Sequence, residues 1–81
     1  MRRPLRALSS REVLRALRNA GFGEAPRRGK GSHRAMVKTE GEMPARLVIV
    51  PQRDSLPIGT LRAIIQQAGM SVEEFLSLLE C

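Results

Sequence analysis

The stretch from His33 to Pro51 limits the possible folds more than any other part of the chain. His33, Ala35 and Val37 alternate with Arg34, Met36 and Lys38, giving a period of two with one mostly apolar side and one mostly basic side, which reads as a strand. Arg46-Leu47-Val48-Ile49-Val50 is a β-branched run ended by Pro51. It reads as the best-defined strand of the chain and as the central one. Thr39 to Ala45, with Gly41 and Pro44, makes a hairpin connection between the two. Upstream, Gly23, Pro26, Gly29 and Gly31 interrupt the segment from Phe22 to Gly31, leaving room for a short, irregular first strand. Pro26 lacks the donor that an interior strand needs, so this strand belongs at a sheet edge or is only a few residues long, with Arg28-Gly29-Lys30-Gly31 as the turn that follows. Consecutive strands joined by short connections form an antiparallel meander.

Helix signals flank this sheet. Ser9-Ser10-Arg11-Glu12 is a capping box, with Leu8 and Val13 as its hydrophobic staple, Val13, Leu14 and Leu17 as the inward stripe and Gly21 as the stop. Arg11, Arg15 and Arg18 share the outer side of that helix, a row that could meet phosphate or simply be solvated. Pro57 suits the first turn of a second helix in which Leu61, Ile64, Ile65 and Ala68 repeat at helical spacing up to Gly69. Ser71-Val72-Glu73-Glu74 is another capping box, stapled by Met70 and Phe75 and leading into Leu76, Leu78 and Leu79. The expected fold is therefore α+β in the order α-β-β-β-α-α, a three-stranded antiparallel sheet with helices packed on one face. At 81 residues and 9.0 kDa the chain is expected to be one domain spanning 1–81, too small for a nucleotide-binding fold or a deep substrate cavity.

Charge is distributed unevenly. Residues 1–38 hold eleven basic and two acidic side chains (+9), and residues 39–81 hold three and six (−3), which together give the net +6. Such a field favours a polyanion through steering and counterion release, although an Arg-rich solvated surface has the same composition. Phe22 and Phe75 are the only aromatics, which excludes the stacking platform of single-strand RNA readers and leaves contacts to backbone and shape. A lone Cys81 and a single His exclude a disulfide framework and a zinc site, and no cofactor is expected. Cys81 reads as a spare reduced thiol in a cytoplasmic protein. Met1-Arg2-Arg3-Pro4 is followed by Arg6 and Ser9-Ser10 where a signal peptide needs an apolar stretch, so neither export nor a membrane span is expected.

His33 is the one side chain able to take and give a proton near neutral pH. It opens a strand immediately after a glycine-rich turn, flanked by Arg27, Arg28, Lys30 and Arg34. On RNA, a base there could deprotonate a 2′-hydroxyl for attack on the adjacent phosphorus while the guanidinium groups offset charge on the phosphate oxygens, with no metal required. A lone His is otherwise structural or merely exposed. Protonation of the leaving group would fall to water, Ser32 or Lys30. Glu40 and Glu42 lie in a connection with no sugar cleft around them. Ser32 beside His33 lacks an orienting carboxylate, and Gly29-Lys30-Gly31-Ser32 lacks the spacing and the following helix of a phosphate loop.

Gly21-Phe22, Gly31-Ser32-His33, Val48-Ile49-Val50-Pro51, Gly59-Thr60-Leu61-Arg62-Ala63-Ile64, Gln67-Ala68-Gly69-Met70 and Glu73-Glu74-Phe75 follow one another as the blocks of the HicA family, also called YcfA-like, which the chain resembles from about Ser9 to Leu79. The resemblance implies a fold similar to double-stranded RNA-binding domains and an mRNA interferase toxin of a type II toxin-antitoxin pair. It also implies a metal-independent endoribonuclease acting through His33 and a HicB-like antitoxin as partner. Arg27, Arg28, Lys30, Ser32 and Arg34 would then be the RNA-binding residues around the catalytic position. Arg34 and Gln52 stand where many relatives carry a further His, and the segment between Phe22 and Gly31 is longer than usual. A non-catalytic RNA-binding module with the same core blocks is the alternative reading.

Overall fold

The computed structural model describes residues 5–25, 31–41 and 43–80. Pro26, Arg27, Arg28, Lys30, Glu42, Cys81 and the first four residues lie outside the described residues, as does most of the expected Arg28-Gly29-Lys30-Gly31 turn. The elements are α1 (Ser10–Asn19), β1 (Gly23–Glu24), β2 (His33–Glu40), β3 (Met43–Pro51), α2 (Ile58–Gln67) and α3 (Val72–Leu79). Their order is the expected α-β-β-β-α-α, and the fold is α+β.

Local chemistry sets the helix ends. The Ser9 hydroxyl accepts from the Glu12 N–H at 3.1 Å while the Glu12 carboxylate accepts from the Ser9 N–H at 3.1 Å. Ser71 and Glu74 repeat this exchange at 3.1 and 3.0 Å at the start of α3. Each box satisfies two backbone donors that have no partner within the helix. The α2 N-terminus differs, because Pro57 is the N-cap residue itself, one position before the first turn, and offers no side-chain cap. Gly69, at φ +74°, ends α2 in a backbone region that L side chains rarely adopt, and a Cβ there would collide with the Arg46 guanidinium.

Both box carboxylates have their pKa lowered, chiefly by the backbone N–H each accepts from, that of Ser9 for Glu12 and that of Ser71 for Glu74. A carboxylate whose folded pKa lies below its unfolded value stabilises the fold above the unfolded pKa, and that contribution is lost as pH falls through the folded pKa. We therefore expect the melting temperature to fall as pH drops below the ordinary glutamate value of 4.5. A Glu12→Gln, Glu74→Gln double variant should show a shallower fall in scanning calorimetry across a pH series. An unchanged slope would remove the caps from the acid response.

The three strands form an antiparallel sheet in the order β1-β2-β3. β2, not β3, is the central strand, which corrects the expectation drawn from the β-branched run. A three-stranded meander has its second strand in the middle whatever the composition of its third. The apolar character of β3 has another cause: one face enters the core, and at its outer edge the Ile49 N–H is taken up by the Gln67 Oε1 of α2 at 3.4 Å. The hairpin is tighter than expected, since Glu40 pairs with Met43.

The register also assigns the two sides of β2. Met36 lies opposite Val48, and all three of Met36, Val48 and Val50 are fully buried beneath the helices. The Arg34-Met36-Lys38 side therefore faces the helices, and its two cations sit at the ends of the covered strip, where long stems can lie along apolar surface with their charged tips outward. The His33-Ala35-Val37 side is the outer one, alongside Leu47, Ile49 and Pro51. Val13, Leu14 and Leu17 of α1, Leu61, Ile64 and Ile65 of α2 and Phe75 of α3 complete the core. α3 ends against α1: Arg15 Nη2 donates to the Leu79 carbonyl at 3.0 Å and Asn19 Nδ2 to that of Leu78 at 2.9 Å. These bonds place a cation and two donors on carbonyls that the last turn of α3 leaves open.

Candidate active site

His33 is the first residue of β2 and pairs with Pro51, the last residue of β3. Just beyond this pair the Gln52 N–H donates to the Ser32 carbonyl at 2.6 Å, which fixes the backbone on both sides of the histidine. His33 and Ser32 are exposed, and no described residue bonds the imidazole. Among the described residues the imidazole is thus exposed and unbonded, on a backbone held by sheet pairing, a geometry open to a large substrate.

Arg34 follows His33 directly, yet alternation along the strand sends its side chain to the opposite face. Its guanidinium donates to Glu24 Oε1 at 2.9 Å, and Arg18 of α1 donates to the same oxygen at 3.1 Å. Ser32 and His33 are thus brought together at the strand end, while the Arg34 side chain lies on the helix side. Arg27, Arg28 and Lys30 lie outside the described residues.

On the helix side of the same sheet end the structure forms an open cleft of about 690 Å³, with Arg11, Arg18, Arg34 and Arg53 among its lining residues. Its walls come from α1, β2 and the segment after β3. Ser10 joins two of them: its hydroxyl donates to the Arg53 carbonyl at 3.1 Å and accepts from the Arg53 N–H at 3.2 Å, and its own N–H donates to that carbonyl at 3.0 Å. Gln52, in the same wall, turns back to donate to the Val50 carbonyl at 3.0 Å. The outer Arg row expected on α1 is split, since Arg11 and Arg18 border the cleft while Arg15 is held at the end of α3.

Sequence reading did not single out Glu24, Ser10 or Arg53. Glu24 lies 6 and 10 positions from its two arginines, and Ser10 lies 43 from Arg53, so no local pattern connects them. Both Phe22 and Phe75 are buried, in keeping with the absence of a stacking platform. Among the described residues no three His, Cys, Asp or Glu side chains come together as metal ligands. No described helix is long and apolar enough to cross a membrane.

A small α+β domain with a three-stranded antiparallel meander, helices on one face and an exposed histidine opening the central strand is the class these features define. The family model of the HicA toxin of bacterial toxin-antitoxin systems matches residues 10–70, and the chain belongs to that family. It is accordingly a toxin, and the family implies an antitoxin partner. No curated protein matches the chain.

Proposed function

We propose that this toxin is an mRNA interferase, a metal-independent endoribonuclease in which His33 is the catalytic group. The observation that supports this most directly is the exposed imidazole at a backbone position pinned by the His33–Pro51 pair and the Gln52–Ser32 hydrogen bond. In the proposed step the neutral imidazole removes the 2′-hydroxyl proton of a bound ribonucleotide. The 2′-oxygen forms a bond to the adjacent phosphorus, and the bond from phosphorus to the 5′-oxygen breaks as that oxygen is protonated. The products are a 2′,3′-cyclic phosphate and a 5′-hydroxyl end.

Ser32, Arg34 and the chain-adjacent Arg27, Arg28 and Lys30 are the proposed RNA-binding residues, with water, Ser32 or Lys30 supplying the second proton. The partner is a HicB-like antitoxin that covers this basic half, and the site of action is the cytoplasm, where mRNA is found. A positive field of this kind is what a polyanionic substrate requires.

The testing experiment is incubation of the purified toxin with RNA in EDTA, followed by analysis of the new ends. Cleavage is expected to persist in EDTA and to leave cyclic phosphate ends. Loss of cleavage on chelation with recovery on adding a divalent ion would overturn the imidazole mechanism. RNA binding with no cleavage under any condition would leave a non-catalytic RNA-binding module.

A further inference from the structure

The ion-paired arrangement around Glu24 bears on how RNA is held away from the reacting bond. Two guanidinium groups, from α1 and from β2, meet on the single oxygen Glu24 Oε1 at 3.1 and 2.9 Å. All three side chains are about half exposed, at 50% for Arg18, 45% for Arg34 and 44% for Glu24. Ion pairs this exposed contribute about 0–1 kcal/mol each, so a competing anion can replace the carboxylate at small cost. Arg18 and Arg34 also line the cleft, together with Arg11 and Arg53, so its described lining carries four cations against the acid Asp54, with the Glu24 carboxylate beside it as a second negative charge.

We infer that this cleft is a second phosphate-binding site for the RNA backbone, flanking the bond cut at His33, and that the Glu24 carboxylate is a built-in phosphate mimic displaced when RNA enters. The inference rests on the RNA-cleaving reading of His33 and adds where the chain of the substrate runs. His33 and Arg34 are consecutive, so their Cα atoms lie about 3.8 Å apart while their side chains leave opposite faces of the sheet. A backbone that presents one phosphate at His33 and passes over the strand end brings a neighbouring phosphate to Arg34. The Arg53 backbone is fixed across the cleft by the Ser10 hydrogen bonds, so this wall of the cleft, though not the guanidinium it carries, is in place before substrate arrives.

The lining chemistry favours a polyanion over an acidic protein segment. Arginine also anchors protein interfaces, but there it acts beside aromatic residues, whereas no aromatic is among the described lining residues and their hydrophobic member, Leu14, is already buried in the core. Arginine forks matched to phosphate oxygens need no such anchor.

The test uses the full chain in a His33→Ala background with RNA whose 2′-hydroxyls are methylated, so that the ligand survives the measurement whether or not His33 is the catalytic group. Binding of a fluorescently labelled single-stranded RNA of mixed sequence is followed by anisotropy across a salt series. Glu24→Gln is expected to tighten binding about two- to fivefold, because it removes both weak ion pairs that compete for Arg18 and Arg34. Arg18→Ala and Arg53→Ala are expected to weaken it and to reduce the salt slope by roughly 0.7–0.9 for each phosphate no longer neutralised. Arg62→Ala on α2, outside the cleft, should match the background in both respects. Thermal melts of each variant identify any that fail to fold, for which Arg18→Gln and Arg53→Gln, expected to show the same reduced salt slope, are the replacements.

Three results would overturn the inference. They are weaker or unchanged binding in Glu24→Gln, background salt slopes in both arginine variants, and preferential capture by the same cleft of a Glu-rich peptide, which would make it a protein-docking site. None of these depends on whether His33→Ala is inactive in the cleavage assay. The cleft and the catalytic assignment can therefore fail separately.

Discussion

Replacing His33 with Ala is expected to lower the RNA cleavage rate by about 10²–10⁴-fold, the usual contribution of a positioned general base, and to abolish growth arrest on expression. The same variant should unfold within about 0.5 kcal/mol of the parent, because an exposed side chain contributes little to packing. These two outcomes belong together. No described residue bonds the imidazole, and the backbone there is held by the Pro51 pairing and the Gln52–Ser32 bond, neither of which involves the side chain. A substitution that removes chemistry without removing structure separates a catalytic role from a structural one. Cleavage rates measured on a defined RNA beside thermal melts of both proteins give the comparison. Rapid cleavage by the folded variant would remove His33 from the mechanism, and inactivity with a collapsed melt would assign the residue to the fold.

The helices were legible because their signals are local. Ser9 with Glu12 and Ser71 with Glu74 bond within four residues of chain, and Val13, Leu14 and Leu17 mark the buried stripe of α1 without reference to any other element. The short edge strand was legible for a similar reason, since Pro and Gly limit pairing wherever they occur. Strand position was less so. A β-branched run reports burial, and β3 is buried by α1 and α2 although it lies at the edge of the sheet, so composition alone misplaced it at the centre. The sides of β2 were ambiguous as well, because an Arg-Met-Lys side can face a helix layer when only its middle residue must be apolar.

The candidate site divides along the same line. His33 was visible as a lone imidazole after a glycine turn, a pattern within three residues. The cleft was not, because each of its defining interactions needs the tertiary fold: Glu24 meets Arg18 through the placement of α1 on the sheet and Arg34 through strand pairing. Even the direction of the Arg34 side chain follows from the register with Val50 and not from its neighbour His33.

Phe75→Ala is expected to destabilise the fold strongly, by about 3–5 kcal/mol. Phe75 is the largest of the fully buried side chains and the member of the core cluster that α3 contributes. Its burial matters because Phe75 and Leu76 are the two buried side chains of α3. Met70, Val72, Leu78 and Leu79 pack only partly buried against the core, and Arg15 and Asn19 tie only its last carbonyls. Exposed hydrogen bonds of that kind contribute roughly 0.5–1.5 kcal/mol each and cannot compensate for a cavity the size of an aromatic ring. A domain of this size has a total stability of about 4–12 kcal/mol, so the loss removes a large fraction of it. Chemical denaturation should show a midpoint shifted well toward lower denaturant or no folded baseline at all, whereas Phe75→Leu, which keeps most of the volume, should retain a cooperative transition. Because α1 packs on both α3 and β3, loosening α3 also loosens Arg18, and RNA binding through the cleft should weaken in Phe75→Ala although Phe75 lies outside its lining. A Phe75→Ala protein with an unchanged denaturation midpoint would mean that α3 contributes little to the fold and that Arg15 and Asn19 hold it merely as an appendage.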